Sequence, residues 1–403
     1  MKYLVLIPDG MADYPLRQLS WRTPLMAARA PNIKSLGFRG RMGLYRSVPK
    51  GCQAGSDVAI MSIMGYDPTT QLTGRGAIES AALGIELAED EIAFRCNLVT
   101  CRRGRISDYS AGYISSTEGK ALILALNERL GDEDVRFHPG KSFRNILVLR
   151  GREYSDDLAT TPPHDIVGQA FQRYLPNARS GAAKRTEEKV RNLILASRDV
   201  LADHPVNRRR QKEGSNPGNM IWPWSPGHRL SLMPFEEIWG MRSAAVGAVD
   251  TIKGLARSAG MLVPDVPGAT GFVDTDYEAK ARAALDALRT CEVAFVHVEG
   301  IDEMGHSGDF KGKMKAIEDF DSRLVGNLFA GMDSRGWEYD VAVIPDHYTP
   351  CTVRTHVRDP TPFVIAGKTS APTRKIEFNE ENAKLGDLGT LKGDEFMRHV
   401  LKD

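Results

Sequence analysis

The chain has 403 residues, 42% of them apolar, and sets Lys+Arg 53 against Asp+Glu 52 for a formal charge of +1. That length exceeds what one hydrophobic core usually serves, so two domains are expected, and near-neutrality removes any global electrostatic case for a nucleic-acid or membrane partner. Five cysteines (Cys52, Cys96, Cys101, Cys291, Cys351), an odd set without Cys-x-x-Cys, argue against a disulfide framework and against a thiolate zinc site.

In chain order, Tyr3-Leu-Val-Leu-Ile7 predicts a buried strand ending in Pro8-Asp9-Gly10. It starts too near the N-terminus to leave room for a signal segment. No apolar run approaches membrane-spanning length, so a soluble, cytoplasmic protein is expected. Pro24 to Leu36 reads as helix interrupted by Pro31. In Lys50-Gly-Cys-Gln-Ala54-Gly55-Ser56-Asp57-Val-Ala-Ile-Met61 a glycine-bearing loop opens an apolar helix and sets Ser56 at an N-terminus that favours anions. Taken alone, Ser56 or Asp57 reads as an ordinary N-cap. Leu72-Thr-Gly74-Arg75-Gly76-Ala-Ile-Glu79 resembles a phosphate loop without the dinucleotide spacing.

From about residue 80 to 235 the pattern shifts to short strands (Ile92 to Thr100, Arg144 to Leu149) and two helices (Glu118 to Leu130, Glu187 to Asp203). Residues 81–234 are therefore expected to form an inserted α+β domain within a principal domain of residues 1–80 and 235–403. The Gly214 to Gly227 stretch, rich in proline and glycine, reads as a connection, hinge or substrate wall, and Arg208-Arg-Arg210 as a solvated helix end. Beyond Ala244 an α/β rhythm returns. A segment from Ala244 to Ala259, a helix Tyr277 to Arg289, a strand Val293 to Val298, a helix Ile317 to Ala330 and a strand Val341 to Ile344 imply an α/β fold with a mainly parallel sheet.

Three of these apolar strands end in acids or acid and imidazole: Asp9, then Glu299-Gly-Ile-Asp302-Glu-Met-Gly-His306, then Asp346-His347. Ligands gather at the carboxyl ends of strands in such sheets. Asp302 and His306 share a face if helical, and Asp346 and His347 converge only in a loop past the strand. With His356 and a serine oxygen, the set suits Mn²⁺, Zn²⁺ or a mixed pair. Two such ions would clamp a phosphoryl group beside Ser56 as nucleophile. Each acid or histidine singly is an ordinary cap or salt-bridge partner. As a set, independent caps have no reason to collect at strand ends.

Pro8-Asp9-Gly10-Met-Ala-Asp13, Ala54-Gly55-Ser56-Asp57-Val-Ala59, Gly65-Tyr-Asp67-Pro68, Thr73-Gly74-Arg75-Gly76, Asp302-Glu-Met-Gly-His306 and Asp346-His347 with His356 resemble the archaeal-type cofactor-independent phosphoglycerate mutases of the alkaline phosphatase superfamily. The resemblance covers essentially the whole chain. It implies an alkaline-phosphatase-like sheet flanked by helices, with an inserted domain. It also implies two divalent ions, Mn²⁺ first and Zn²⁺, Co²⁺ or Mg²⁺ as alternatives. Asp302, His306 and His356 would hold one, and Asp9, Asp346, His347 and the Ser56 oxygen the other. Ser56 would carry the phosphoryl group between 3- and 2-phosphoglycerate, Lys253 would neutralise transition-state charge, and the insert would close over the metals to exclude water. Arg75, Arg95, Asp108, Arg144 and His164 are candidates for gripping the small phosphorylated substrate.

The chain departs from the archaeal pattern at Asp108-Tyr-Ser-Ala-Gly-Tyr113, where several arginines are expected. This stretch, with Pro162-Pro-His164-Asp165 and His204-Pro-Val-Asn207, is more similar to a bacterial branch of the family with a proposed homoserine kinase role. A kinase of that kind and a non-catalytic metal-binding relative are the competing expectations.

Overall fold

The computed structural model describes residues 1–368 and 376–402. The chain divides into two compact units, Met1–Leu72 with Ser231–Asp403, and Thr73–Leu230. The first crossing falls earlier than residue 80, because the helix Arg75–Ala82 packs on the strand Glu91–Arg102 of the inserted unit. Its two glycines permit this. A Cβ at Gly74 would overlap the Pro226 carbonyl, and one at Gly76 the Ala93 carbonyl. Close backbone approach accounts for these glycines.

The first unit is built on a seven-stranded sheet in the order Ser243–Val246, Val293–Val298, Lys2–Pro8, Tyr339–Val343, Thr361–Gly367, Arg41–Arg46, Thr390–Lys392. Thr361–Gly367 alone of these runs against the rest. The central strands are buried on both faces, which is why they read as unbroken apolar runs. Their core includes Leu4, Leu6, Val296, Val341 and Val343, covered by Ile317, Phe320 and Leu328 from helices. Val293–Val298, Lys2–Pro8 and Tyr339–Val343 are neighbours, so the residues following them emerge side by side at one sheet edge.

The inserted unit holds an antiparallel sheet in which Glu91–Arg102 lies between Arg144–Arg150 and Met220–His228. The helices Ser116–Leu130 and Lys184–Leu201 supply apolar residues to its core. Met220–His228 corrects the expectation of an irregular connection. It pairs with one strand only, so Pro223 and Pro226 need no ladder donor on the other side. Arg210 is also not solvated, since its buried guanidinium donates to Asn216 O (2.9 Å), Ala111 O (2.8 Å) and Glu118 Oε2 (2.7 Å). Among the described residues, no helix is long and apolar enough to cross a membrane.

Candidate metal and phosphoryl-transfer site

Asp9 follows the first strand, Asp302 and His306 lie one turn apart on the helix Gly300–Ser307, and Asp346 and His347 sit in the loop after Tyr339–Val343. Gly10, at φ +59°, lets the first of these segments turn. A Cβ there would overlap Asp302 Oδ1, so only glycine admits the approach. Asp346 Oδ1 accepts from the Gly10 and His347 amides at 3.0 and 2.9 Å, tying two ligand loops together.

One donor atom each from Asp302, His347 and His356 lie within 4.8 Å of one another, as do one each from Asp9, His297 and Asp346, so His347 converges on Asp302 and His356 as well as lying beside Asp346. In the Asp302 group, His306 Nε2 is 3.1 Å and His356 Nε2 3.5 Å from Asp302 Oδ2, with 2.9 Å between the two nitrogens. His306 Nδ1 donates to Arg354 O at 3.1 Å, which directs its Nε2 at Asp302. Donor atoms around a cation bound at about 2.1 Å sit roughly 3 Å apart, so this trio has the dimensions of a ligand set. Between the groups, His347 Nε2 lies 3.1 Å from Asp346 Oδ2, 3.6 Å from Asp9 Oδ1 and 3.2 Å from Ser56 Oγ, while its ring stacks on His356 with centroids 3.8 Å apart. Thr349 Oγ1 donates to Asp302, so it accepts from His347 Nδ1 at 3.1 Å and leaves the Nε2 lone pair inward.

The electrostatics call for positive charge. Burial, then the carboxylates of Asp346 and Asp302, push Asp9 well above the ordinary range. Burial alone would raise Asp302, but the His306 and His356 bonds outweigh it and hold it far below, while the Asp302 bond lifts His306 to about 9. Burial lowers His347 to about 4, keeping it neutral and able to coordinate. Asp9 Oδ1, Asp346 Oδ2 and His297 Nε2 are buried without a hydrogen-bond partner among the described residues. Orphaned buried acceptors converging on one place are what a divalent cation would satisfy, so the residues present fit the group.

His297 is absent from the sequence expectation. It lies inside an apolar strand and reads as core. The overlooked signal is Glu299 two residues on, which accepts from its Nδ1 at 3.0 Å. Burial lowers His297, but Glu299 and Asp9 outweigh this and lift it to about 10.

Ser56 opens the helix Ser56–Ile63, whose N-cap Gly55 supplies no side-chain bond. The first turn can therefore face an anion. Lys253 is half-buried on the helix Asp250–Ser258, which packs against the Ser56 helix, and among the described residues its ammonium has no hydrogen-bond or ion-pair partner.

Asp13 and Lys313 lie behind the ligand loops. The fully buried Lys313 ammonium donates to Asp13 Oδ2 at 2.8 Å and Thr349 O at 2.9 Å. Glu380 accepts from the Asp13 amide at 3.3 Å and Thr23 Oγ1 at 2.7 Å, and burial pushes it up to about 7. The folded chain thus holds this proton more tightly than the unfolded one. Its stabilising contribution is full below the ordinary value of 4.5 and is lost as pH rises through about 7. Glu380→Gln does not titrate. Between about pH 4.5 and 8 its stability should rise relative to the parent by roughly 3 kcal/mol, read from urea midpoints at each pH.

In the inserted unit, the charges of Arg95, Arg75 and Arg144 all act on His164, whose pKa is lowered first by burial and further by them. The His164 ring meets Trp224 and Tyr109 edge-on, and Arg95 lies 4.3 Å over Trp224 while pairing with Glu79. Arg75, Arg95 and Arg144 therefore lie near His164. Asp108 is engaged within its own turn. Its oxygens accept from Ser110 N and Oγ, Gly112 N and Asn216 Nδ2 at 2.7 to 2.8 Å, fixing the turn that carries Tyr109 and Tyr113.

Residues 38–207 match the family model described as 2,3-bisphosphoglycerate-independent phosphoglycerate mutase. A Methanosarcina acetivorans protein named 2,3-bisphosphoglycerate-independent phosphoglycerate mutase is 47% identical over 403 residues, covering 100% of both chains. Of solved structures, a Pyrococcus horikoshii protein aligns with TM-score 0.82 at 29% identity, covering 100% of this chain and 97% of its own. A cofactor-independent phosphoglycerate mutase from Thermoplasma acidophilum aligns with TM-score 0.69 at 27% identity, covering 100% and 99%.

Proposed function

The chain belongs to the family of 2,3-bisphosphoglycerate-independent phosphoglycerate mutases, and from that premise we propose that it interconverts 3- and 2-phosphoglycerate through a phosphoserine at Ser56. The observation that carries this reading is Ser56 Oγ at 3.2 Å from His347 Nε2, at a helix N-terminus and beside two converging donor groups. Asp302, His306 and His356 would hold one divalent ion, and Asp9, Asp346, His347 and the Ser56 oxygen a second. Carboxylate and imidazole donors suit Mn²⁺, with Zn²⁺, Co²⁺ and Mg²⁺ as alternatives. When bound, such ions supply the positive charge that favours a serine alkoxide and offsets charge on phosphoryl oxygens.

Ser56 Oγ forms the new bond to phosphorus as the bond to the substrate's 3-oxygen breaks, and the serine proton ends on that oxygen. The glycerate turns, its 2-hydroxyl attacks phosphoserine, and the proton returns to Ser56. The amides at the start of the Ser56 helix orient the phosphoryl oxygens, and Lys253 adds a cation from the adjoining helix. Arg75, Arg95, Arg144 and His164 of the inserted unit are the candidates for holding anionic groups. Five unpaired thiols fit a reducing cytoplasm.

Metal-loaded protein given 3-phosphoglycerate should form 2-phosphoglycerate with no bisphosphoglycerate added. ATP-dependent phosphorylation of homoserine without mutase turnover would replace this reading with a kinase on the same scaffold.

A further inference from the structure

We infer that His297 is a direct ligand of the second cation, with Asp9 and Asp346, and that Glu299 is the carboxylate that fixes its ring. The inference rests on the two-cation reading of the site and adds a residue to it.

Glu299 is an acceptor with four donors already around it: Ala248 N and Val249 N at 3.1 and 3.3 Å and His297 Nδ1 at 3.0 Å on one oxygen, Lys280 Nζ at 2.9 Å on the other. An ionised carboxylate so placed can only accept, so a proton always sits on Nδ1, and Nε2, directed away from Glu299, is the nitrogen at which a cation would take the place of the second proton. Lys280, itself fully buried, balances the Glu299 charge and also donates to His297 O at 3.1 Å.

The Nε2 so exposed lies 3.2 Å from Asp9 Oδ2, yet it makes no hydrogen bond among the described residues, and neither do Asp9 Oδ1 or Asp346 Oδ2. One donor atom each from Asp9, His297 and Asp346 lie within 4.8 Å of one another, and all three residues are buried. A histidine serving only as a salt-bridge partner of Asp9 would leave Asp9 Oδ1 and Asp346 Oδ2 unexplained. A metal-bound imidazole whose other nitrogen donates to a carboxylate is a recurrent arrangement, and it explains all three atoms at once. The second centre would then carry two imidazoles, His297 and His347, and this nitrogen content favours Mn²⁺, Co²⁺ or Zn²⁺ over Mg²⁺.

The test reads the metal. In protein labelled with ¹⁵N-histidine and loaded with ¹¹³Cd²⁺, four imidazoles should show one-bond nitrogen–cadmium coupling at Nε2: His297, His306, His347 and His356. Coupling at the last three with none at His297 overturns the inference. As a second measurement, His297→Ala should weaken one of two Mn²⁺ ions by about 100-fold and leave the other nearly unchanged, while Glu299→Gln weakens the same ion by about 10-fold. Two Mn²⁺ ions held by His297→Ala as tightly as by the parent would also overturn it. A parent protein that binds fewer than two ions would instead refute the two-cation reading itself.

Discussion

Ser56→Ala is expected to lower mutase turnover by about 10⁴-fold or more, an activation penalty of roughly 5 kcal/mol, while the protein still folds and still binds metal. The oxygen that would carry the phosphoryl group is the only chemistry removed. The side chain is half-buried, and its one side-chain hydrogen bond described is to His347. The carboxylate and imidazole donors remain in place. Intact-mass measurement during turnover should find the mass of one phosphoryl group on the parent and none on the variant. A phosphorylated Ser56→Ala protein would remove Ser56 from its role.

Lys313→Met should destabilise the fold by about 3–5 kcal/mol, because Asp13 would be left buried and uncompensated. Both side chains are inaccessible to solvent, and the pair joins three segments that bear ligands. Asp13 belongs to the loop after Asp9 and also accepts from the Cys351 amide at 3.1 Å, while Lys313 lies on the helix that follows His306 and reaches Thr349 O. Adding Asp13→Asn to Lys313→Met should recover much of the loss, since the stranded charge is then gone. Urea unfolding of the single and double variants measures both effects. A single variant within about 1 kcal/mol of the parent would show that the pair carries little of this load.

The sheet and the strand-end acids were legible because a strand buried on both faces writes itself as an apolar run, and whatever follows it in sequence must emerge at the sheet edge. Asp9, Asp302 and Asp346 could be placed from that alone. His297 could not, because an imidazole within Val293–Val298 looks like any other buried side chain until its partner Glu299 is considered. Lys313 and Asp13 stayed hidden for a different reason: their pairing is tertiary and has no local periodicity. The strand Met220–His228 is not legible in the sequence because proline and glycine normally mark turns, and only pairing on one side makes Pro223 and Pro226 harmless.

Within the inserted unit the incoming and outgoing chain are stitched together at its root. Thr73 Oγ1 donates to His228 O at 2.7 Å and the Arg75 amide to Ser225 Oγ at 3.1 Å. Two strands of chain that leave and return at one point impose on the host domain little more than the closure entropy of a short loop, however many residues lie between them. Such a root lets the insert lengthen, shorten or change its turns, including the tyrosine-bearing one, without disturbing the register of the sheet that holds the acids.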